Sequence, residues 1–306
     1  MSDENKISRI GVIAKEVISG FNNNSFLRSN FIEEDRSKSD IDKKFNYPDH
    51  FQVERIDLEN FSMEYLTWKD SESDKVVLQL HGGGYVTALR NSYRTMAGLY
   101  SEVSKGASVL TIDYRIAPEH PFPAALDDAL CAYNWLLDKG YKEEQIVIGG
   151  DSAGGGLAMA MCHYFKDNNM KMPLGIVAMS PWTDLTASGP SYVENKSIDP
   201  IFGHQNDIFD NDSPYVADDS PTNPYISPLF GDFTGFPPML IQVGTDEMLF
   251  SDSEAVAKKA KEAGVKVKFT IYEGMFHVFQ MTAKILPESR KAWVEIGKFF
   301  EVLERE

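Results

Sequence analysis

Short, nearly continuous apolar runs alternate with longer amphipathic segments from about residue 75 onward. The runs KVVLQL (75–80), ASVLTI (107–112), QIVIG (145–149), GIVAMS (175–180), PMLIQV (238–243) and KVKFTIY (266–272) are rich in β-branched residues. Consecutive apolar positions suit strands covered on both faces. The segments between them, such as 122–139, 153–167, 252–263 and 288–303, have the length of helices. Strand and helix in this order imply parallel pairing through right-handed crossovers, hence an α/β protein. Upstream, residues 51–68 (VERIDLEN, then FSMEYLTW) alternate in polarity and predict an antiparallel hairpin at one sheet edge.

Two regions break the alternation. Residues 1–45 are polar and predict helix, and residues 185–225 form a long insertion between two strands. A connection of that length in a compact domain usually covers a ligand site. Open α/β sheets bind ligands at the carboxyl ends of their strands, so both regions read as one cap over that edge.

Composition narrows the class without naming it. The 306 residues carry a net charge of −16, which argues against a nucleic-acid surface. No apolar run approaches the roughly 18 residues of a membrane span, and the polar start MSDENKISRI is unlike a targeting signal. The expectation is a cytoplasmic protein that neither inserts into membranes nor binds nucleic acid. Cys131 and Cys162 fall in helical segments without metal-ligand spacing, and a disulfide between them is not the expected reading.

The stretch VIGGDSAGGGLA, residues 147–158, surrounds one serine with five glycines at the end of a strand. Such a cluster costs stability unless the backbone needs it. A P-loop would require Lys and then Ser or Thr after the glycines, and a dinucleotide site would require a different spacing after the first strand. What matches is G-x-S-x-G as Gly150–Gly154, on a strand-to-helix turn that strains Ser152 and projects its hydroxyl above the sheet. An ordinary N-cap serine is the alternative reading.

A nucleophilic serine needs a histidine base and an acid to orient it, here in the chain order Ser, acid, His. Of the six histidines, His277 in YEGMFHVF alone follows both the serine and a strand able to supply the acid. Asp246, just after PMLIQV, is the expected acid; its neighbour Glu247 is the lesser candidate, expected to point elsewhere. Asp252 reads as a helix cap. The turn HGGGY, residues 81–85, and the amide of Ala153 are placed to donate to an oxyanion. His81 is expected to brace that turn through a hydrogen bond. Tyr85, Phe202, Phe209, Tyr215 and Met248 are candidates to line an acyl or alcohol pocket, with ordinary packing as the alternative.

Taken together, HGGGY, DYRIAPEHPFPAALDD, GDSAGGGLA, SPWTDLT, SPLFGD, GTDEML and HVF resemble the hormone-sensitive-lipase-like esterases of the α/β-hydrolase fold. The resemblance implies a triad of Ser152, Asp246 and His277, oxyanion donors at Gly83, Gly84 and Ala153, and no cofactor or metal. It implies hydrolysis of short-to-medium acyl esters, small-molecule substrates, and a homodimer as an option through the last strand and helix. The implied layout is an N-terminal cap segment (1–45), a first part of the catalytic core (46–184), a cap insertion (185–225) and a second part of the core (226–306). Two motif positions depart from the family pattern. Its acid is usually followed by Pro and Leu, where Asp246 is followed by Glu247 and Met248, and its histidine by Gly, where His277 is followed by Val278. A small-molecule receptor on the same fold is the rival, and the retained serine, acid and histidine argue against it.

Overall fold

A computed structural model describes residues 7–22, 36–203 and 213–304. Eight strands form one sheet: β1 (Phe51–Asp57), β2 (Ser62–Trp68), β3 (Val76–Leu80), β4 (Ser108–Asp113), β5 (Ile146–Asp151), β6 (Gly175–Met179), β7 (Met239–Gly244) and β8 (Val267–Tyr272). Their spatial order is β1-β2-β4-β3-β5-β6-β7-β8. The hairpin of β1 and β2 joins β4 antiparallel, and every later pairing is parallel. The loops after β3, β5, β6, β7 and β8 therefore emerge at one edge of the sheet.

Side-chain alternation along the central strands explains why both faces are covered. Leu78, Leu110, Ile148, Ile176 and Ile241 pack into one core with α3 (Ala124–Asp138), α4 (Ala153–Asp167) and α6 (Phe250–Glu262). Val77, Val109, Val147, Val177 and Leu240 face the opposite way, against α2 (Asn91–Val103) and α7 (Pro287–Leu303). Burial on both faces removes the need for polar alternation, which is why these strands read as continuous apolar runs.

The N-terminal region is helical only at α1 (Arg9–Asn22) among its described residues; 36–45 are turns and extended chain. Ile7, Ala14 and Ile18 pack on Met275, Phe276 and Phe279, while Ser8 donates to Glu288 on α7. Within the inserted region a single short helix, α5 (Ser191–Glu194), is described, and Asn22 on α1 donates to the carbonyl of Pro200 at 2.7 Å. Both free cysteines lie where expected, Cys131 on α3 and Cys162 on α4. No helix among the described residues is long and apolar enough to cross a membrane.

Residues 40–43 are fastened by one buried cation. Arg94 on α2 is 2% exposed and donates to Glu64 on β2 at 2.8 and 2.5 Å. It also donates to the carbonyls of Asp40, Ile41 and Lys43 at 2.7–2.8 Å. Removing one partner of a buried pair leaves the other charge without compensation. Arg94→Met is expected to lower unfolding free energy by about 3–5 kcal/mol, measured by urea denaturation; a loss below about 1 kcal/mol would mean that the pair behaves as a surface ion pair.

Candidate active site

β5 ends in a turn that no ordinary residue adopts freely. Ser152 has φ +51° and ψ −123°, outside the favourable regions for a side-chain-bearing residue. The conformation is held from both sides: the Ser152 amide donates to Met179 O at 2.9 Å, and its carbonyl accepts from the Trp182 amide at 2.9 Å. Gly154 permits the turn because a Cβ there would collide with the carbonyl oxygen of Leu80 on β3. The first turn of α4 thus lies directly on the strand whose loop carries HGGGY.

That loop bends through positive φ at Gly83 (+109°), Gly84 (+64°) and Tyr85 (+62°). His81 braces it as expected. Its Nδ1–H donates to Gly82 O at 2.7 Å, and its ring stacks on Tyr114 at 3.9 Å and 2°. Burial holds the His81 imidazole below its ordinary pKa, so it stays neutral.

At the acid the geometry departs from the expectation. The carboxylate that meets His277 belongs to Glu247, whose Oε2 accepts from His277 Nδ1 at 3.0 Å. Glu247 is fully buried; its Oε1 accepts from Ser180 Oγ at 2.8 Å and from the Gly244 amide. Asp246 faces the other way, bonded to Thr245 Oγ1 at 2.8 Å and paired with Lys15 on α1. Successive residues on the turn after β7 project to opposite sides, and the longer glutamate side chain spans the gap to the imidazole. The signal was present in the motif: counted from Glu247, Leu249 falls two positions on, the spacing the family pattern asks for. Burial raises the Glu247 carboxyl above its usual range, opposed by the hydrogen bonds from His277, Gly244 and Ser180.

Ser180 joins the two turns. Besides donating to Glu247, its oxygen accepts from the Val278 amide at 3.2 Å. Val278 stands at φ +50°, a conformation that glycine adopts freely and a β-branched residue occupies only under strain. The ring of Phe202 lies 4.7 Å from that of His277. Tyr85 and Tyr215 are fully buried and stacked at 3.7 Å and 6°, joining the HGGGY loop to the inserted region. Met248 is buried, its amide donating to Asp199 at 2.7 Å. Phe209 lies outside the described residues. No group of acidic, histidine and cysteine side chains among the described residues is arranged to hold a metal.

Asp252 does not cap its own helix as expected. Its Oδ2 accepts from the amides of Thr183 and Asp184, both at 2.9 Å, fastening the SPWTD loop to α6. His163, at the far side of α4, bonds Pro228 O at 3.0 Å and is held down to about 4 by burial, as befits a neutral core residue.

Residues 77–281 match the family model of the alpha/beta hydrolase fold. An acetyl-hydrolase of Streptomyces hygroscopicus is 38% identical over 228 residues, covering 74% of this chain and 76% of that one. A solved esterase/lipase from an uncultured bacterium superposes with TM-score 0.85 at 34% identity, over 98% of this chain and 100% of that one. A solved esterase of the bacterial hormone-sensitive lipase family gives 0.83 at 33% identity, over 98% of each. The chain belongs to the α/β-hydrolase fold family, among its hormone-sensitive-lipase-like esterases. It is a carboxylic-ester hydrolase.

Burial raises the Asp252 carboxyl to about 7, against the pull of the two amides. A carboxyl raised by folding contributes stability below its unfolded pKa, near 4, and that contribution is lost as pH rises through about 7. Between pH 5 and pH 8, wild type is expected to lose on the order of 2–3 kcal/mol relative to Asp252→Asn. Urea unfolding of both at each pH checks it; a constant difference would place the ionisation elsewhere.

Proposed function

We propose that the chain hydrolyses short-to-medium acyl esters through an acyl-enzyme, with Ser152 as nucleophile, His277 as base and Glu247 as the orienting acid. The observation that carries this reading is the buried 3.0 Å contact between Glu247 Oε2 and His277 Nδ1, beside a serine held at positive φ. Glu247 fixes the Nδ1–H tautomer, which leaves Nε2 free to take the serine proton. Ser152 Oγ attacks the ester carbonyl as that proton moves to Nε2, and the oxyanion collects hydrogen bonds from the amides of Gly83, Gly84 and Ala153. The imidazolium then protonates the leaving alcohol. Water attacks the acyl-serine by the same route in reverse, releasing the carboxylic acid and restoring Ser152.

The reading also assigns the cap. α1 and the described residues of the inserted region would close over the site, with Phe202, whose ring lies beside His277, shaping a pocket suited to small acyl or alcohol groups, whereas Tyr85, Tyr215 and Met248 pack in the core beneath it. The acetyl-hydrolase name of the Streptomyces relative supports short acyl chains. The chemistry requires no cofactor or metal.

Hydrolysis of p-nitrophenyl acetate, butyrate, octanoate and palmitate tests it. Turnover should peak at the short chains. Ser152→Ala should lose about 10⁴–10⁶ in kcat and Glu247→Gln about 10³–10⁴, whereas Asp246→Asn should stay within about tenfold because it loses only a part-buried ion pair that does not face His277. A large loss in Asp246→Asn with a small one in Glu247→Gln would restore Asp246 as the acid. Turnover greatest on palmitate would overturn the chain-length reading.

A further inference from the structure

The residue before the nucleophile carries a carboxylate that the triad does not use. Asp151 is 2% exposed, and its Oδ2 accepts from the Tyr93 hydroxyl at 3.1 Å. The same hydroxyl oxygen accepts from the Gly82 amide at 2.8 Å. The carboxylate presses on the loop so closely that a Cβ on Gly82 would collide with Asp151 Oδ2. From the other side, His81 Nδ1–H holds Gly82 O at 2.7 Å. The Gly82 carbonyl and the Gly83 N–H share one rigid peptide plane, so pinning Gly82 at both its amide and its carbonyl sets the direction of Gly83 N–H.

We propose that Asp151 and Tyr93 are positioning residues for the oxyanion loop: through the Tyr93 hydroxyl they hold the Gly82 amide so that the Gly82–Gly83 peptide aims its N–H at the substrate oxygen. The inference rests on the serine-esterase reading above. Its reason is that an oxyanion hole works by being oriented before charge develops, and a loop of three glycines has no stiffness of its own.

The clamp is sensitive to pH. Burial lifts the Asp151 carboxyl to about 7, opposed by His277, by the Tyr93 hydroxyl and by the Gly82 amide. The groups facing it are Tyr93 and Tyr100 on α2, Tyr114 after β4, His81 and Gly82 in the loop, and His277 after β8. Burial keeps the three tyrosines and His81 neutral, so none of these four neighbours changes charge alongside Asp151. The ionised carboxylate is the stronger acceptor for Tyr93 and also favours the imidazolium of the transition state. Both effects raise kcat as Asp151 ionises.

The test measures kcat and KM on p-nitrophenyl butyrate from pH 5 to 9 for wild type, Tyr93→Phe, Asp151→Asn and Asp151→Ala. Tyr93→Phe should lower kcat about 10–100-fold with KM within about twofold, below the loss expected when an oxyanion donor is removed outright. Asp151→Asn, close in shape, should lose less than Asp151→Ala. Its rise of kcat with pH should be shallower than wild type, because the ionisation of the residue 151 carboxyl no longer contributes. Should Tyr93→Phe misfold by circular dichroism, the pH profile of Asp151→Asn decides alone. Superimposable profiles with unchanged kcat, or a loss confined to KM, overturn the clamp. Labelling of Ser152 by an organophosphonate separates the two readings. Wild type that is neither labelled nor active sinks the esterase reading itself, whereas labelled, active wild type with unaffected variants sinks the clamp alone.

Discussion

A serine at φ +51° at the tip of β5 is the constraint around which the rest of the molecule is arranged. The conformation is unfavourable for any residue with a Cβ, and it persists because neighbouring strands over-determine it. Met179 on β6 takes its amide, Trp182 donates to its carbonyl, and α4 packs against Leu80 on β3 through a glycine that leaves no room for a side chain. Further strained positions surround it, at Tyr85, Ser180 and Val278. All lie in loops at the carboxyl edge of the sheet, where a rigid parallel core can absorb their cost.

The same edge concentrates buried carboxylates in a protein whose surface is already acidic. Glu247, Asp151 and Asp252 are each raised by burial and each partly compensated by amide or hydroxyl donors. Their partners differ, and so do their tasks. Glu247 meets an imidazole, Asp151 meets the hydroxyl that carries the Gly82 amide, and Asp252 ties the loop after β6 to α6. Buried carboxylates are retained where a backbone segment has no other partner, since an unpaired amide in the interior costs as much as the hydrogen bond it lacks.

Remote parts of the chain converge on the turn 245–248. Lys15 from α1 pairs with Asp246, Asn195 donates to the carbonyls of Thr245 and Glu247 at 2.9 and 2.8 Å, and Asp199 accepts from the amide of Met248. The N-terminal helix and the inserted region thus grip the segment that carries the carboxylate facing His277. Substitutions in α1 or at Asn195 and Asp199 therefore act on the turn whose carboxylate meets the imidazole, a link that composition alone does not show.

The strands and helices of the core were legible in the sequence because burial on both sheet faces writes itself as unbroken apolar runs. The strained turn at Ser152 was legible because only glycine tolerates such close approach of α4 to β3. His277 followed from chain order. Local pattern decided the strands and the turn, and order along the chain decided the histidine. Which of two adjacent acids faces inward was legible only in the two-residue spacing from Glu247 to Leu249, and the order of residues along the chain pointed to Asp246 instead. Asp246 and Glu247 differ in orientation by a single turn position, and Lys15 and Ser180 set that orientation from distant segments, with the nearby Gly244 amide as a further donor. The hydroxyl bridge from Tyr93 to Asp151 was hidden for the same reason. It joins residues 58 positions apart, brought together by the packing of α2 beneath the sheet edge.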